Sequence, residues 1–197
     1  MTNIVWTSDK SGKFLTSNEK VGTILMWNVA KVEPLQIIKV GTHGIQSMKM
    51  LQNPQKRRNS NLKFPNHQKL LISLRNGEVL VFNLNRRCIE FKTEAGHSET
   101  IFDVGFSPSN PELLASCSYD GTIRVWDSNK MQLKNVVDTA KNSPQAKMLK
   151  KIIYSISWNQ SSSKLACVTI NGFCMIYDAP KSKLLSWAQP FEDTPSF

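Results

Sequence analysis

Short apolar runs bounded by turn residues recur along the whole chain, and no stretch shows the three- or four-residue apolar spacing typical of a helix. Four segments align without gaps: residues 21–28 (VGTILMWN), 76–83 (NGEVLVFN), 120–127 (DGTIRVWD) and 171–178 (NGFCMIYD). In each segment a glycine precedes an aromatic residue by five positions, and Asn or Asp follows that aromatic residue. Such self-similarity, recurring about every 50 residues, predicts a repeat protein.

Each of these glycines is predicted to lie at a tight turn between two strands. Asn-Gly and Asp-Gly favour the positive φ angles that such turns require. A further strand precedes and follows each hairpin, which makes four short strands per repeat. The strands after the turns do not alternate between apolar and polar residues, as is typical of sheets covered on both faces. We therefore predict an all-β fold in which four-stranded sheets stack around an axis as the blades of a β-propeller.

The third repeat carries the most specific motif in the chain. Gly96 and His97, the Ser-Pro pair at 107–108 and residues 114–127 (LASCSYDGTIRVWD) resemble an almost complete WD repeat. The resemblance covers roughly residues 4–188 and implies a WD-repeat propeller, usually of about seven blades, that acts as a rigid platform for protein complexes. Residues 96–103 (GHSETIFD) are also similar to the subfamily called WD repeat-containing protein seventeen.

The resemblance also implies a network of hydrogen-bonded side chains, formed by His97, Ser116, Asp120 and Trp126. An ionised Asp120 at the turn can accept from His97, which can bond the Ser116 hydroxyl, with the indole N–H at the end. Leaving any of these buried groups unpaired would cost about 1–3 kcal/mol. The other repeats depart from the motif, so we expect their blades to hold together by apolar packing alone.

The repeats divide the chain into units at about residues 1–40, 41–95, 96–138 and 151–188, with surface insertions at 52–68 and 139–151. Four blades of this shape would leave two apolar sheet faces uncovered. Further blades in cis, a second chain or an unusually tight ring could cover them. We favour a longer protein with a larger ring of about seven blades, because a strand is predicted almost immediately after Met1.

Partners of a propeller are expected at the loops around the narrow end of its axis. Four residues just ahead of the hairpin turns occupy equivalent positions there: Lys20, Arg75, Tyr119 and Ile170. The resemblance places them on one rim, and Tyr119 is the best anchor candidate because Tyr is enriched at binding hot spots. We predict a non-catalytic scaffold or adaptor that binds other proteins through this rim, without cofactor or metal.

The charge balance suggests an alternative class of partner. Lys plus Arg outnumber Asp plus Glu by 25 to 15, which gives a formal net charge of +10. The two insertions carry much of the excess, so a basic propeller that binds RNA or DNA is a second hypothesis. It is the weaker one, because few aromatic residues accompany these charges. Within the first insertion, Ser60 follows Arg57 and Arg58 and is a candidate phosphorylation site for a basophilic kinase.

His97, Ser116 and Asp120 are also the residue types of a hydrolase triad. A catalytic serine needs a sharp, exposed turn such as G-x-S-x-G, whereas Ser116 lies in an apolar strand beside Ala115 and Cys117. A propeller hydrolase is therefore only a remote alternative.

Composition adds an expectation about location. With 40% hydrophobic and 20% charged residues, the chain is neither disordered nor a membrane bundle. No secretory signal begins the chain, and no apolar run approaches the roughly 20 residues needed to span a bilayer. The four cysteines show no C-x-x-C spacing, which favours free thiols in a reducing compartment. We expect an intracellular, cytoplasmic protein.

Overall fold

The computed structural model describes residues 3–7, 11–51, 68–93, 96–139 and 152–188. Within these ranges the chain forms sixteen β-strands and no helix, so the predicted all-β class is confirmed. Accordingly, no helix in the described ranges has the length and apolarity needed to cross a membrane.

The strands form four antiparallel sheets of four strands, each built from consecutive strands in chain order. Sheet 1 consists of β1 (Ile4–Trp6), β2 (Lys13–Ser17), β3 (Thr23–Asn28) and β4 (Gln36–Lys39). Sheet 2 consists of β5 (Ile45–Met50), β6 (Lys69–Leu74), β7 (Val79–Asn83) and β8 (Cys88–Lys92). Sheet 3 consists of β9 (Ile101–Phe106), β10 (Leu113–Ser118), β11 (Thr122–Asp127) and β12 (Gln132–Asp138). Sheet 4 consists of β13 (Ile153–Trp158), β14 (Lys164–Thr169), β15 (Cys174–Asp178) and β16 (Lys183–Ala188).

The aromatic residue of each sequence repeat occupies the same register position in its sheet. It lies in the third strand, directly opposite an apolar residue of the second strand. The four pairs are Trp27 with Phe14, Phe82 with Leu70, Trp126 with Leu114 and Tyr177 with Leu165. The sheets are therefore equivalent units, as expected for WD-type propeller blades.

Consecutive sheets stack on one another through their first strands. Strand β1 packs on β5, β5 and β6 pack on β9, and β9 and β10 pack on β13. Each junction buries its own apolar cluster: Leu15, Ile24 and Ile72 belong to the first, Leu71, Val79 and Trp126 to the second, and Cys117, Val125 and Tyr177 to the third. Every extensive strand contact between sheets in the described ranges joins consecutive sheets.

Sheets 2 and 3 are covered on both faces, which explains why their strands do not alternate between apolar and polar residues. Every residue of β7 is buried, including those that point in opposite directions along the strand. The fourth strands, β8 and β12, are largely exposed, since they lie farthest from the strands that stack. The core is therefore concentrated along the first three strands of each sheet.

Sheets 1 and 4 each turn one face away from the stack. On sheet 1, this face carries Trp6, Phe14, Trp27 and Ile37, and Trp6 and Ile37 are 61% and 67% exposed. Its aromatic rings contact one another, with centroids 5.5 Å apart for Trp6 and Phe14 and 6.2 Å for Phe14 and Trp27. On sheet 4, Val168 is exposed in the same way. Among the described residues, nothing covers these two faces extensively.

The turns within the hairpins match the predicted geometry in three sheets out of four. Gly77, Gly121 and Gly172 have φ angles of 84°, 81° and 78°. Gly22 does not have a positive φ, because the first hairpin loop is one residue longer: Ser17 pairs with Ile24, whereas Cys117 pairs with Ile123. Gly22 is needed for a different reason. A Cβ there would lie 2.5 Å from the carbonyl oxygen of Gly41, in the loop that leads to sheet 2.

Most of the two predicted insertions, residues 52–67 and 140–151, lies outside the described residues. Their described end residues, Gln68 and Thr139, are buried. The Thr139 hydroxyl donates to the carbonyl oxygen of Gly121 at 2.8 Å, which ties the end of β12 to the hairpin turn of the same sheet.

Candidate functional site

The four side chains of the predicted network meet in sheet 3. His97 lies in the loop ahead of β9, Ser116 in the middle of β10, Asp120 at the β10–β11 turn and Trp126 in β11. Ser116 and Trp126 are on the face of sheet 3 that packs against sheet 2, because Trp126 shares the cluster of Leu71, Val79 and Phe91. The network is therefore part of the junction between two blades.

A continuous chain of hydrogen bonds connects these residues. The Trp126 indole N–H donates to Ser116 Oγ at 2.9 Å, and Ser116 Oγ lies 2.8 Å from His97 Nε2. His97 Nδ1 lies 2.9 Å from Asp120 Oδ2. The tautomer that pairs every group has the proton on Nδ1, so that Ser116 donates to Nε2 and Nδ1 donates to the carboxylate.

Thr122 completes the network, and the sequence analysis did not include it. Its hydroxyl donates to Asp120 Oδ1 at 2.6 Å, and its backbone N–H donates to the same oxygen at 2.9 Å. The other carboxylate oxygen also accepts from the Ser98 N–H at 3.3 Å. The signal for Thr122 was its place directly after the turn glycine, where a hydroxyl can face the Asp120 carboxylate across the turn.

The environment keeps the network in one ionisation state at neutral pH. Burial lowers the pKa of His97 below its ordinary value of 6.5, although the hydrogen bond to Asp120 acts in the opposite direction. Partial burial by itself would raise the pKa of Asp120, but hydrogen bonds from His97 and Thr122 outweigh it and hold that pKa well below its ordinary 3.8. An ionised Asp120 and a neutral His97 result.

Asp120, His97 and Ser116 are connected in the same order as a hydrolase triad, but the nucleophile is enclosed. Ser116 has 0% exposed surface, and its oxygen already accepts from Trp126. A substrate could reach this hydroxyl only if sheets 2 and 3 separated. We therefore interpret the network as a structural device that joins a turn, a loop and two strands.

Sheet 1 retains part of the same arrangement. The Trp27 indole N–H donates to Thr16 Oγ1 at 2.9 Å, at the register positions that Trp126 and Ser116 occupy in sheet 3. The expectation that the other blades rely on apolar packing alone is therefore wrong for sheet 1. Counted from the turn glycine, Ser17 and not Thr16 aligns with Ser116, because the first hairpin loop is one residue longer.

In sheet 4 the aromatic position has its own polar contact. The Tyr177 hydroxyl is buried and donates to the Met175 sulfur at 3.3 Å. Burial, together with Cys167 and Asp138, raises the pKa of Tyr177 well above its ordinary value. The hydroxyl therefore stays protonated, and expecting apolar packing alone is inaccurate for sheet 4 as well.

The local motif and the sheet geometry agree with a known family. Residues 88–127 match the family model described as WD domain, G-beta repeat, which includes all four network residues. Residues 88–127 therefore contain a WD repeat, and the four sheets that surround it have the form of WD-type propeller blades. The matched WD repeat begins in β8, the last strand of sheet 2, and ends with β11 of sheet 3. One WD repeat therefore spans a junction between two blades.

Several curated proteins resemble part of this chain. Coronin-7 of Rattus norvegicus is 32% identical over 104 residues, which cover 51% of this chain and 9% of that protein. WD repeat-containing protein GTS1 of Arabidopsis thaliana is 31% identical over 91 residues, or 45% of this chain and 21% of that protein. WD repeat-containing protein VIP3 of the same plant is 26% identical over 112 residues, or 54% and 34%. The matched region spans about a third or less of each relative.

The four residues of the predicted rim are all exposed. Arg75, Tyr119 and Ile170 directly follow the second strands of their sheets. Counted back from the turn glycine, Lys20 aligns with these three residues. Counted from the paired residues of the second strand, Glu19 aligns with them instead, because the first hairpin loop is one residue longer. Ser60 and most of the basic residues of the insertions lie outside the described residues.

Asp103 of β9 connects three blades, and the sequence analysis did not single it out. Its Oδ2 accepts from the Ser155 hydroxyl at 2.9 Å and from the Ile156 N–H at 3.3 Å, both in sheet 4. Its Oδ1 lies 3.4 Å from the Lys49 ammonium of sheet 2. A carboxylate within an otherwise apolar strand was the available signal, since a buried charge requires partners.

In the described part of the chain, no three His, Cys, Asp or Glu side chains are placed to hold a metal.

Replacing Ser116 with Ala tests the structural role of the network. We expect the free energy of unfolding to fall by about 1 to 3 kcal/mol, because the change leaves His97 Nε2 and the Trp126 N–H buried without partners. Urea unfolding followed by tryptophan fluorescence measures the loss. Ser98→Ala, at an exposed serine of the same loop region, is the matched control and should change stability by less than about 0.5 kcal/mol. Equal effects of the two substitutions would contradict the account.

The pH dependence of stability tests the neutral state of His97. A histidine whose pKa is lowered by folding contributes stability above its ordinary pKa of 6.5, and this contribution is lost as the pH falls below that value. We therefore expect urea midpoints to decrease between pH 7.5 and pH 5.5, and to decrease less in a His97→Gln variant. Ser98→Ala, at the exposed serine next to His97, is the control and should keep the slope of the original chain. An unchanged slope in His97→Gln would show that His97 does not contribute to it.

Proposed function

We propose that the chain is a non-catalytic cytoplasmic scaffold or adaptor that binds partner proteins through the rim formed by Lys20, Arg75, Tyr119 and Ile170. One observation carries the proposal. The backbone N–H of Arg75, Tyr119 and Ile170 each donates, at 2.9 Å, to a carbonyl oxygen of the residue just ahead of the first strand of its sheet. At these three positions the backbone of the rim is thus held beside the first strand of its sheet while the side chains are exposed.

Such an arrangement suits protein binding because it limits the entropy lost on association. Association costs less conformational entropy when the contacted surface is already ordered. Beneath Tyr119 the turn is further held by the Asp120 carboxylate, and the Ser118 hydroxyl donates to the carbonyl oxygens of Glu99 and Thr100 at 3.1 and 3.0 Å. These contacts support the rim as a preorganised surface.

We also propose that the four blades belong to a larger ring. On sheet 1, the uncovered face contains the Trp27–Thr16 pair, and in sheet 3 the equivalent Trp126–Ser116 pair is covered by sheet 2. A further blade is therefore the natural neighbour of this face, supplied in cis within a longer protein or by a second chain. The closer resemblance to WD repeat-containing protein seventeen remains a prediction.

A rim variant tests the proposed function. It combines Lys20→Glu, Arg75→Glu, Tyr119→Ala and Ile170→Ala. We expect the amount of each protein that the original chain retains from a cell extract to fall at least tenfold with this variant. The reason is that two charges are reversed and two apolar contacts are removed without changing a buried residue. Quantitative mass spectrometry of the captured and cross-linked proteins measures the loss.

The opposite end of the blades provides a matched control. A variant with Lys130→Glu, Lys181→Glu, Val32→Ala and Met131→Ala carries the same types of change at exposed residues of the loops that follow β3, β11 and β15. It should retain the proteins that the original chain retains. The proposal fails if both variants retain the same proteins as the original chain, or if the original chain retains none above the bare resin.

A further inference from the structure

The connections between the third and fourth strands, at the end of the blades opposite the rim, have an excess of positive charge. These connections comprise residues 29–35, 84–87, 128–131 and 179–182. They contain five basic residues and one acidic residue, Glu33. The connections between the second and third strands carry the rim and comprise residues 18–22, 75–78, 119–121 and 170–173. Those contain two basic and three acidic residues, so the two sets differ in the sign of their net charge.

A basic residue recurs at the same position in all four of these opposite connections. It is the third residue after the Asn or Asp that ends the third strand, and the four are Lys31, Arg86, Lys130 and Lys181. All four side chains are exposed. We call these four residues the basic arc, because consecutive blades carry them beside their outer strands.

Backbone hydrogen bonds hold the members of the basic arc in their turns. The N–H groups of Arg86, Lys130 and Lys181 each donate to the side-chain oxygen of the Asn or Asp that ends the strand, at 3.0, 3.0 and 2.8 Å. The Lys31 N–H donates to the carbonyl oxygen of Asn28 at 3.0 Å. Each of the four blades therefore presents its cation from a turn whose backbone is fixed.

Exposed aliphatic side chains lie beside these cations. Val29 and Val32 flank Lys31 and are 66% and 96% exposed, and Met131, which follows Lys130, is 62% exposed. The four connections contain no aromatic residue. They therefore combine positive charge with aliphatic groups and lack the rings on which nucleic-acid bases stack.

One member of the basic arc also faces a carboxylate. The Arg86 guanidinium lies 3.8 Å from Glu90, whereas the Lys69 ammonium lies closer to that carboxylate, at 2.8 Å. Arg87, the next residue along the connection, is exposed and adds a further positive charge. The connection of sheet 2 therefore keeps its excess of positive charge.

We propose that the basic arc binds the surface of an anionic phospholipid membrane, with the neighbouring aliphatic side chains inserted among the lipid headgroups. Anionic lipids attract clusters of Lys and Arg, and each basic residue near the bilayer surface strengthens binding roughly fivefold. Apolar side chains that reach the boundary between headgroups and acyl chains add to binding as their surface is buried. A membrane surface is thus matched both by the repeated cations and by the aliphatic groups between them.

Nucleic acid and an acidic protein segment are poorer matches for this surface. Either polyanion could neutralise the basic arc, but pairing with charge alone would leave Val29, Val32 and Met131 exposed to water. Single-stranded RNA is further disfavoured because the connections offer no aromatic ring for stacking. The inference concerns a surface other than the rim, so it does not rest on the proposed function.

Co-sedimentation of the purified full chain with lipid vesicles tests the proposal. One set of vesicles consists of phosphatidylcholine, and the matched set is an equal mixture of phosphatidylcholine and phosphatidylserine. We expect at least about tenfold stronger binding to the mixed vesicles, because several cations act together. This binding should weaken as salt is added, since salt screens exposed charges. Equal binding to the two sets, or binding to neither, would overturn the proposal.

Two variants with the same types of change assign the binding to one end of the blades. The opposite-end variant, which served as the control for the rim, combines Lys130→Glu, Lys181→Glu, Val32→Ala and Met131→Ala. It should bind the mixed vesicles at least about tenfold more weakly than the original chain. The rim variant changes the net charge equally and should bind within about twofold of the original. Equal weakening in both folded variants, checked by circular dichroism, would show that net charge and not the basic arc determines binding.

Two further measurements separate a membrane from another polyanion. Val32→Ser leaves the charge unchanged and should weaken binding to the mixed vesicles about threefold, because an inserted apolar group is lost. An unchanged affinity would contradict insertion. A labelled single-stranded polyuridine is the second probe. If it binds the original chain as tightly as the mixed vesicles do, and the opposite-end variant loses it, the occupant is nucleic acid and the proposal is wrong.

The vesicle and rim proposals fail in distinguishable ways. With an extract cleared of membranes, the opposite-end variant should lose vesicle binding and keep its captured proteins, whereas the rim variant should do the reverse. If no vesicles bind while the rim variant loses its proteins, the membrane proposal fails and the scaffold function stands. If vesicles bind through the basic arc while the rim variant keeps every protein, only the scaffold proposal fails.

Discussion

Burial of sheet faces between consecutive blades is the constraint on which the rest of this structure depends. A four-stranded sheet made of residues such as those of β7 is apolar on both faces, so it needs a neighbour on each side. Sheets 2 and 3 obtain both neighbours from the chain itself, through the clusters around Ile72, Val79 and Val125. Sheets 1 and 4 obtain only one each, and their remaining faces carry exposed residues such as Trp6 and Val168.

The hydrogen-bonded network of sheet 3 determines the position of a loop, which apolar packing alone does not. Apolar contact between sheets does not specify where a loop must lie. The series of side-chain hydrogen bonds from Trp126 to Asp120, in contrast, holds the loop of His97 against the hairpin turn. Asp103 fixes the position of neighbouring blades in a similar way. Its carboxylate accepts hydrogen bonds from sheet 4 and forms an ion pair with Lys49 of sheet 2. Partnered polar groups of this kind favour one arrangement over others, since breaking them leaves buried donors and acceptors unpaired.

Much of the fold could be predicted from the sequence because the glycine-to-aromatic spacing is a local pattern with a fixed register. Trp27 and Trp126 therefore occupy the equivalent positions that the alignment of repeats implied. The bulges at Phe102 and Tyr154 could not be predicted, since one extra residue in a strand leaves the apolar pattern almost unchanged. The contacts of Asp103 and the close approach that requires Gly22 depend on neighbouring sheets and loops, which a single segment does not reveal.

The most direct measurement of this account is hydroxyl-radical footprinting of the purified chain at low concentration, read by mass spectrometry at individual tryptophans. Trp126, 3% exposed under sheet 2, and Trp6, 61% exposed on the uncovered face of sheet 1, give the comparison. The account predicts that Trp6 is modified much faster than Trp126, by at least about tenfold. Equal rates of modification would contradict it, because either sheet 2 would not cover sheet 3 or the face of sheet 1 would not be open.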